Sequence, residues 1–336
     1  MGRYTELSFP GLGIEPFEIN GVALSFEIGG KPITVMWYGI IICCAILAAF
    51  AYLSFRAKQQ KLVFDDILDI TLVTVCIAVI GARLYYVVFD GIGEYIVTGY
   101  GFFKNLGKSL YNIIAVWEGG LAIYGGILFG ALTVLVMSRI KKISFFKLAD
   151  MATPGIMLAQ AIGRWGNFMN GEAFGSETTL PWRMGINNFN TGYMTMYVHP
   201  TFLYESLWNV LGFVLINIFY KKRRFEGEVG FWYFIWYGFG RTFIELLRTD
   251  SLMLGPIRVS SMLAALIVVT LLPLLIVLRV KEHKLALAGK LPENTLPSVL
   301  FLLKNGEAPL ASTNTENTTA EHTSAESEDN TNGTHH

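Results

Sequence analysis

The chain has 336 residues, of which 53% are hydrophobic and 15% are charged. Water-soluble globular proteins carry about 25% charged residues, so the composition excludes that class and is typical of an integral membrane protein. The net charge is zero, but residues 305–336 hold six acidic side chains and no Lys or Arg, so the rest of the chain is basic. A basic body suits contact with anionic membrane lipids. No basic run is long enough to follow a phosphate backbone, so we expect no nucleic-acid partner.

Residues 1–34 precede the first long apolar run. They lack the charged start, apolar core and cleavage site of a signal peptide, so we expect them to remain as an extracytoplasmic segment. Seven later stretches are long and apolar enough, or nearly so, to cross a bilayer as helices: residues 36–55, 67–89, 121–138, 145–162, 202–220, 229–247 and 257–279. The fourth contains Asp150 and a Pro154-Gly155 pair. Such interruptions survive at membrane depth only when they are packed in protein or line a cavity, so Asp150 could be structural.

Lys and Arg residues predict the orientation of these spans. Residues 56–66, 139–147 and 221–228 carry three, four and four basic side chains, and the connections on the other side carry fewer. The positive-inside rule therefore places the N-terminus outside and the C-terminus in the cytoplasm.

These observations predict an all-α integral membrane protein. It has seven transmembrane helices over residues 35–284, a small extracytoplasmic head that includes residues 1–34, and a cytoplasmic, largely disordered tail over residues 285–336. The disorder is expected beyond about residue 305, because Thr, Ser, Asn and Glu dominate there and offer no apolar surface to bury.

A charged side chain inside a bilayer costs about 2.5–3.5 kcal/mol, so each one requires a partner or a task. In the predicted orientation, polar side chains from six spans all fall on the extracytoplasmic half. Snorkelling at helix ends would explain a single case such as Arg83, but not this convergence. The group comprises Tyr38, Arg83, Glu118, Tyr124, Arg164, Asn167, Asn170, Glu172, His199, Tyr204, Glu205, Arg241, Glu245 and Arg248.

The sixth span carries a polar stripe. Tyr237, Arg241, Glu245 and Arg248 are separated by four, four and three positions, which places them on one face of a helix. Arg241 and Glu245 could simply neutralise each other. Two arginines with one glutamate leave a positive surplus, however, so we expect the stripe to bind an anionic headgroup.

The segment GRWGNFMNGEAFG, residues 163–175, intersperses four glycines with Arg164, Asn167, Asn170 and Glu172. The glycines predict the end of the helix and a concave loop whose backbone N–H groups bind an anion beside Arg164. The alternative is a tightly packed helix end.

Two further motifs are open to more than one interpretation. WEGGLAIYGG, residues 117–126, places Glu118 and Tyr124 around paired glycines that permit close helix packing, and Tyr124 could also belong to an interfacial aromatic belt. HPTFLYE, residues 199–205, is typical of a helix start with proline in the first turn, so His199 could be only a cap.

Together these motifs resemble the prolipoprotein diacylglyceryl transferase family of bacteria. The similarity covers five segments in the family's order and spans about residues 20–280, without the tail. The segments are VMWYGI (35–40), WEGGLAIYGG, GRWGNFMNGEAFG, HPTFLYE and YGFGRTFIELLR (237–248).

The resemblance implies transfer of the diacylglyceryl group of phosphatidylglycerol to the lipobox cysteine of prolipoprotein signal peptides, the first step of lipoprotein maturation. A thioether forms, glycerol 1-phosphate leaves, and no cofactor or metal is implied. It also implies a bacterial cytoplasmic membrane, with the site toward the extracytoplasmic leaflet. The family's important positions match Tyr38, Arg164, Asn167, Gly175, His199, Tyr237, Arg241, Glu245 and Arg248.

One position departs from the family pattern. Many relatives have a His in an HGG sequence where this chain has Tyr124, and the resemblance implies that this His is a base for the thiol. A histidine base is therefore not available here. A positive site lowers the pKa of a thiol, so ionisation can proceed without a dedicated base. If one exists, Glu245, Tyr124 and His199 are the options.

We expect two further roles, namely binding of the lipid phosphate and stabilisation of the leaving group. Arg164, the glycine-rich turn and Asn167 would hold the phosphate of the lipid, and Arg241 would neutralise charge on the departing oxygen. The predicted catalytic residues are Tyr124, His199, Tyr237, Arg241 and Glu245, and the predicted phosphatidylglycerol-binding residues are Tyr38, Arg164, Asn167, Asn170, Glu172, Gly175 and Arg248.

Two other classes of protein also place charge in a membrane. A transporter would require polar residues through the cytoplasmic halves of the spans, which are largely apolar apart from Asp150. A non-enzymatic phospholipid-binding protein is the second alternative.

Overall fold

The computed structural model describes residues 4–116, 119–251, 253–292 and 295–305, with the backbone alone for Ile28, Lys31 and Leu254. Within these ranges the chain is mostly helical. The helices are α1 (Trp37–Gln59), α2 (Phe64–Gly91), α3 (Phe102–Ile114), α4 (Ile123–Ile140), α5 (Phe145–Asn170), α6 (Thr201–Phe219), α7 (Glu228–Leu247), α8 (Val259–Leu287) and α9 (Val299–Asn305). The strands are β1 (Tyr4–Phe9), β2 (Ile14–Asn20), β3 (Val22–Ile28), β4 (Lys31–Met36), β5 (Met184–Asn187), β6 (Met196–Val198), β7 (Met253–Leu254) and β8 (Ile257–Arg258).

Five segments of the described chain are long and apolar enough to cross a membrane: Trp37–Gln59, Phe64–Tyr95, Ile123–Ile140, Thr201–Lys222 and Val259–Leu287. The chain is therefore a membrane protein. Helices α5 and α7 have 26 and 20 residues and reach about 39 and 30 Å. They are less apolar because they carry charged side chains such as Asp150, Arg164 and Arg241.

Each of the seven predicted stretches overlaps one long helix, namely α1, α2 and α4–α8, with starting residues that differ by up to three positions. Helices α3 and α9 were not predicted. The all-α class needs correction, because residues 4–36 form four strands and further strands lie between α5 and α6 and between α7 and α8.

The N-terminal strands follow from a simple sequence pattern. β3 and β4 form an antiparallel hairpin whose turn contains Gly29 and Gly30, both at positive φ (58° and 74°). Glycine adopts this backbone conformation without steric cost, so the Gly-Gly pair permits the tight turn.

A four-stranded antiparallel sheet in the order β2-β1-β5-β6 covers one end of the helices. One face buries Leu7, Ile186 and Val198 together with Phe202, in the first turn of α6. We call this end of the helix bundle, where α6 begins, the head end. The remote pairing of β1 with β5 brings the N-terminal segment to the loop that follows α5.

At the opposite end Asp150 caps a neighbouring helix. Its carboxylate accepts hydrogen bonds from the backbone N–H groups of Gly227 (2.8 Å) and Gly230 (3.1 Å), at the start of α7. These N–H groups have no partner within the helix, and a negative charge is favourable there. Asp150 therefore joins α5 to α7 and has a structural role.

Helix α5 ends within the glycine-rich segment, as predicted, but only at its third glycine. It continues through Arg164 and Asn167 to Asn170, and Gly171 in the left-handed conformation (φ 59°) terminates it. Gly166 permits close packing against α1, because a Cβ there would lie 2.7 Å from Cδ2 of Tyr38. The tightly packed helix end was the correct alternative.

The chain beyond the last long helix also packs on the bundle. α9 places Val299 and Leu302 in a buried cluster with Phe225 and Leu278. The part of the expected tail from residue 285 to residue 305 is thus structured where it is described. Residues 306–336, for which we expected disorder, lie outside the described residues.

Candidate active site

A buried carboxylate links two arginines from different helices. Glu205, near the start of α6, is 3% exposed. Its Oε1 accepts a hydrogen bond from Nη2 of Arg164 on α5. Its Oε2 accepts one from Nη1 of Arg241 on α7, at 2.9 Å. The structure therefore brings both predicted arginines within reach of one small anion.

Helix α7 adds a second carboxylate to this cluster. Nη2 of Arg241 forms an ion pair with Oε2 of Glu245 at 2.6 Å, one turn further along the helix, and Glu245 is 2% exposed. Tyr237 lies one turn before Arg241, and its ring stacks on Tyr233 with a centroid separation of 6.0 Å. The Arg241 guanidinium is thus held from two sides.

The end of α5 extends the cluster through amide side chains. Nη1 of Arg164 donates to Oδ1 of Asn167 at 3.2 Å. The side-chain amides of Asn167 and Asn170 both donate to Oε1 of Glu172, each at 3.1 Å. Four polar residues predicted from one motif therefore form a continuous hydrogen-bonded chain.

Tyr38 reaches the same region from α1. Its ring packs on Gly166, and its phenol interacts electrostatically with Glu172 and Arg164. Four of the six helices expected to contribute, α1, α5, α6 and α7, supply side chains to this cluster, together with Glu172 in the loop after α5. We call it the Glu205 cluster (Tyr38, Arg164, Asn167, Asn170, Glu172, Glu205, Tyr237, Arg241 and Glu245).

The expected positive surplus is wrong for this cluster. Its arginines, Arg164 and Arg241, are accompanied by the carboxylates of Glu172, Glu205 and Glu245. Arg248, which the surplus relied on, is paired elsewhere. The site offers strong directed donors rather than excess positive charge.

Gly175, His199 and Arg248 belong to a backbone junction beside the cluster. The N–H of Gly175 donates to the carbonyl of His199 at 2.9 Å, and that of Ser176 donates to the carbonyl of Leu247 at 2.7 Å. A Cβ on Gly175 would lie 2.6 Å from Cβ of His199, so a larger residue would separate the segments that meet here. The junction joins the loop after α5 to the start of α6 and the end of α7.

Three backbone N–H groups of the loop expected to bind an anion have partners within the protein. The N–H of Gly171 donates to the carbonyl of Phe168 at 3.0 Å, and that of Glu172 donates to the carbonyl of Asn167 at 3.1 Å. With the N–H of Gly175 bound to His199, these donors are used within the protein. These three N–H groups are therefore not available to an anion.

Arg248 points to a surface carboxylate. Its Nε and Nη2 donate to the two oxygens of Asp250, at 3.0 and 2.8 Å. Partial burial works to raise the pKa of Asp250, but the hydrogen bonds and charge of Arg248 outweigh it and hold that pKa below its usual value. Arg248 is thus paired with Asp250 and not with Glu205.

His199 lies in a short polar chain at the junction. Nδ1 of His199 lies 3.2 Å from the hydroxyl of Tyr204, which accepts a hydrogen bond from Nε1 of Trp182 at 2.7 Å. Burial lowers the pKa of His199 below its usual value, so the imidazole is neutral near pH 7. A neutral imidazole can accept a proton, but its described contacts do not join it to the Glu205 cluster.

Tyr124 lies at the start of α4 and faces α8. Its hydroxyl is 3.4 Å from Oγ of Ser260. Next to it, Gly125 packs on α2, since a Cβ there would lie 2.4 Å from the carbonyl oxygen of Gly81. The structure does not join Tyr124 to Glu205 through a described hydrogen bond. Glu118, the other polar residue of this motif, lies outside the described residues.

Comparison with known proteins decides the family. Residues 23–277 match the model of the family described as prolipoprotein diacylglyceryl transferase. This chain belongs to the prolipoprotein diacylglyceryl transferase family.

Curated relatives of this family resemble the chain over most of its length. The phosphatidylglycerol–prolipoprotein diacylglyceryl transferase of Listeria innocua serovar 6a is 44% identical over 278 residues, covering 81% of this chain and 94% of the relative. The enzymes of the same name from Streptococcus mutans serotype c and Streptococcus pneumoniae strain JJA are 44% and 41% identical, covering 79% and 73% of this chain and 97% and 89% of the relatives. These comparisons favour a transferase over a transporter or a non-enzymatic lipid-binding protein.

For this member of the prolipoprotein diacylglyceryl transferase family, the main residue without a predicted role was Glu205. In the sequence it was identified only as one polar residue of the fifth span. Its signal was available, because it is the single charged residue in the apolar helix TFLYESLWNVLGFVLINIF. The partners Asp250, Ser260 and Trp182 had no such signal, since each stands among ordinary loop or helix-end residues.

Proposed function

We propose that this chain transfers the diacylglyceryl group of phosphatidylglycerol to the lipobox cysteine of prolipoprotein signal peptides. The products are a thioether-linked lipoprotein precursor and glycerol 1-phosphate. The observation that carries the proposal is the meeting of Arg164 and Arg241 on Glu205, at the head end of the membrane helices. Family membership and the names of the relatives supply the reaction.

The two arginines can bind the phosphate of the lipid while they stay attached to Glu205. A guanidinium has five N–H groups in a planar fork that matches phosphate oxygens. The described contacts use two of the side-chain nitrogens of Arg164 and two of Arg241, and the nitrogens carry further N–H groups. Phosphatidylglycerol would therefore add to the cluster without a prior loss of its ion pairs.

The charge balance explains why two arginines are needed. A cysteine thiolate attacks the glycerol carbon of the diacylglyceryl group, the carbon–sulfur bond forms, and the carbon–oxygen bond to phosphate breaks. The singly charged phosphodiester becomes a doubly charged phosphate monoester as the thiolate charge disappears. Arg164 and Arg241 stabilise that extra charge as it develops on the leaving oxygen.

The thiol proton requires an acceptor, and the carboxylates of the cluster supply one. Glu245 is buried and bound to Arg241, and of the predicted base candidates Tyr124, His199 and Glu245 it alone belongs to the Glu205 cluster. We propose Glu245 as the acceptor, with Tyr237 lying between the lipid phosphate and Tyr233. His199, Gly175 and Arg248 would maintain the junction that closes the site.

The remaining polar groups suit the lipid headgroup. Glu172, held by Asn167 and Asn170, can accept hydrogen bonds from the two hydroxyls of the glycerol headgroup. Tyr38 lies beside this carboxylate at the start of α1 and is 38% exposed. This arrangement would distinguish phosphatidylglycerol from lipids whose headgroup lacks hydroxyls.

We also propose that α1, α2 and α4–α8 all cross the cytoplasmic membrane of a bacterium. The site and the N-terminal sheet lie at the head end, whereas α9, which follows the last crossing, packs at the opposite end. An odd number of crossings places the two ends of the chain on opposite sides in this way. The basic loops at that opposite end predict that it faces the cytoplasm. The active site would then face the extracytoplasmic leaflet, where the lipobox cysteine emerges after translocation.

The activity is tested with purified protein in phosphatidylglycerol nanodiscs and a lipobox peptide. We expect release of glycerol phosphate together with a diacylglyceryl mass increase on the peptide, and neither product when the peptide cysteine is replaced by serine. Failure to form either product with folded protein would reject the proposal. Release of glycerol phosphate in the absence of peptide would instead identify a phospholipase of the C type, which hydrolyses the lipid to diacylglycerol.

The orientation is tested by labelling cysteines in intact cells with an impermeant maleimide. Cys43, Cys44 and Cys76 are first replaced by alanine, and single cysteines are placed at Leu12 or at Leu287, which are 60% and 77% exposed. Labelling at residue 12 but not at residue 287 is expected. The opposite pattern would reverse the assigned orientation.

A further inference from the structure

Helix α3 presents an apolar face that the described part of the protein leaves largely uncovered. On a helical projection of 100° per residue its apolar side chains fall within about 120° of arc. Phe102 and Phe103 are 74% and 85% exposed, and Leu106 and Leu110 are about half exposed. So large an uncovered apolar surface needs an occupant.

The other side of α3 is polar, basic and attached to the protein. Lys104 and Lys108 lie opposite the apolar arc and are exposed, with their Nζ atoms 4.8 and 4.0 Å from the ring centre of Tyr100. Asn105 exchanges hydrogen bonds with the backbone of Tyr100, and Ser109 accepts one from Val97. The segment before α3 therefore covers the polar side only.

Arg83 fixes the height of α3 relative to the membrane helices. Its guanidinium donates to the carbonyls of Asn112 (2.8 Å) and Ile113 (3.0 Å) at the end of α3, and to those of Gly119 (2.6 Å) and Gly120 (3.1 Å). Arg83 is 5% exposed, so it is a buried clamp rather than a snorkelling side chain.

The clamp lies at the boundary of the hydrocarbon layer. From Phe64, where α2 begins, the helix rises about 28 Å to Arg83, nearly the ~30 Å thickness of a bilayer core. The end of α3 is thus held at the level where α2 leaves the apolar layer. Helix α4 begins on the same side a few residues later.

We infer that α3 lies in the membrane–water interface at the head end and binds an anionic lipid surface through Lys104 and Lys108. Its apolar arc enters the boundary between headgroups and acyl chains, and its lysines face the phosphates. The described part of α3 contains no acidic residue, so the charge matches anionic rather than zwitterionic lipid. This inference concerns lipid contact alone and does not depend on the transfer reaction.

The depth of α3 is tested by nitroxide scanning of residues 102–114 in the full-length protein, with Cys43, Cys44 and Cys76 replaced by alanine. In nanodiscs, accessibility to oxygen relative to a water-soluble nickel complex is expected to oscillate with the helical period. Labels at Phe103 and Leu106 should lie in lipid, and labels at Lys104 and Lys108 in water. Uniform access to nickel would overturn the inference, as would exclusion of both reagents from the apolar arc, which would indicate a covering protein surface.

The lipid preference is tested with a fluorophore at Phe103 and spin-labelled phosphatidylglycerol or phosphatidylcholine as quencher. We expect stronger quenching by phosphatidylglycerol, reduced about fivefold for each lysine removed in Lys104→Gln and Lys108→Gln. Lys58→Gln and Lys61→Gln, at the opposite end, are the matched control and should leave the ratio unchanged. Equal quenching by both lipids in the parent protein, or an unchanged ratio in the α3 variants, would refute the anionic preference. None of these measurements requires turnover.

Discussion

Arg164 and Arg241 bind the two oxygens of one buried carboxylate, that of Glu205. The arginines come from α5 and α7, and Glu205 lies on α6 between them in sequence. Removing one member of such a buried pair leaves an uncompensated charge, which costs about 3–5 kcal/mol. The geometry of the proposed phosphate clamp therefore depends on Glu205 as much as on the arginines.

Replacing Glu205 should inactivate the enzyme while it remains in the membrane. Glu205→Gln keeps the shape but removes the charge that holds both guanidinium groups, so we expect kcat/KM to fall by about 100-fold or more. The rate of peptide modification in nanodiscs measures kcat/KM. Glu282→Gln is the matched control, because Glu282 pairs with the half-exposed Arg224 at 3.5 Å at the opposite end, and it should retain parent activity. Normal turnover by Glu205→Gln would show that the two arginines do not need a shared carboxylate.

Arg164→Ala and Arg241→Ala should abolish lipid transfer with the protein still inserted. The lysine variants keep the positive charge but lose the fork of parallel N–H donors, so Arg164→Lys and Arg241→Lys should also lose most activity. Arg224→Ala, at an exposed position, serves as the control. Parent-like turnover by either purified alanine variant in phosphatidylglycerol would mean that the phosphate is bound elsewhere.

Tyr124→Phe should keep substantial activity. The Tyr124 hydroxyl is 3.4 Å from Ser260 Oγ and has no described hydrogen bond to the Glu205 cluster, so its loss should leave the proposed proton acceptor intact. The variant and parent should show the same pH–rate profile. Complete inactivity with an intact fold would instead make Tyr124 the base for the thiol.

Gly166→Ala and Gly163→Ala separate packing from helix propensity. A Cβ at Gly166 lies 2.7 Å from Cδ2 of Tyr38, whereas the nearest atom to one at Gly163 is Cδ1 of Ile42 at 3.5 Å, an ordinary contact. We expect Gly166→Ala to destabilise the protein by about 1–3 kcal/mol through overpacking, and Gly163→Ala to be neutral or slightly stabilising. Thermal unfolding in detergent measures both; equal effects would contradict the packing assignment.

His199 should titrate below its usual range. Burial lowers its pKa from the model-compound value of 6.5, so the unfolded chain binds more protons than the folded protein just below pH 6.5. The resulting stability is present above that pH and is lost as the pH falls toward the folded-state pKa. NMR of histidine-labelled protein, with His199→Gln for assignment, checks this. A titration above pH 6.5 would contradict the predicted direction.

The amino-acid sequence was sufficient to identify the class of protein, the positions of the long helices and most residues of the candidate site. Apolar runs of about 20 residues form helices in a bilayer, because a helix satisfies all backbone hydrogen bonds within one segment, whereas strands require a closed barrel. The four-position spacing of Tyr237, Arg241 and Glu245 fixes one helix face in the same way. The alternation of apolar and polar residues on either side of Gly29 and Gly30 indicates a β-hairpin. Long apolar runs alone do not reveal it.

The pairing of these groups, in contrast, follows from the packing of the helices against one another. Whether Arg241 binds Glu245 alone or Glu205 as well depends on the packing of α6 between α5 and α7, which spacing along one helix does not specify. The same holds for Gly166, where the facing ring of Tyr38 comes from a distant helix, and for Arg248, which Asp250 neutralises. Local sequence determines which side chains share a helix face, whereas contacts between helices determine which charges remain available.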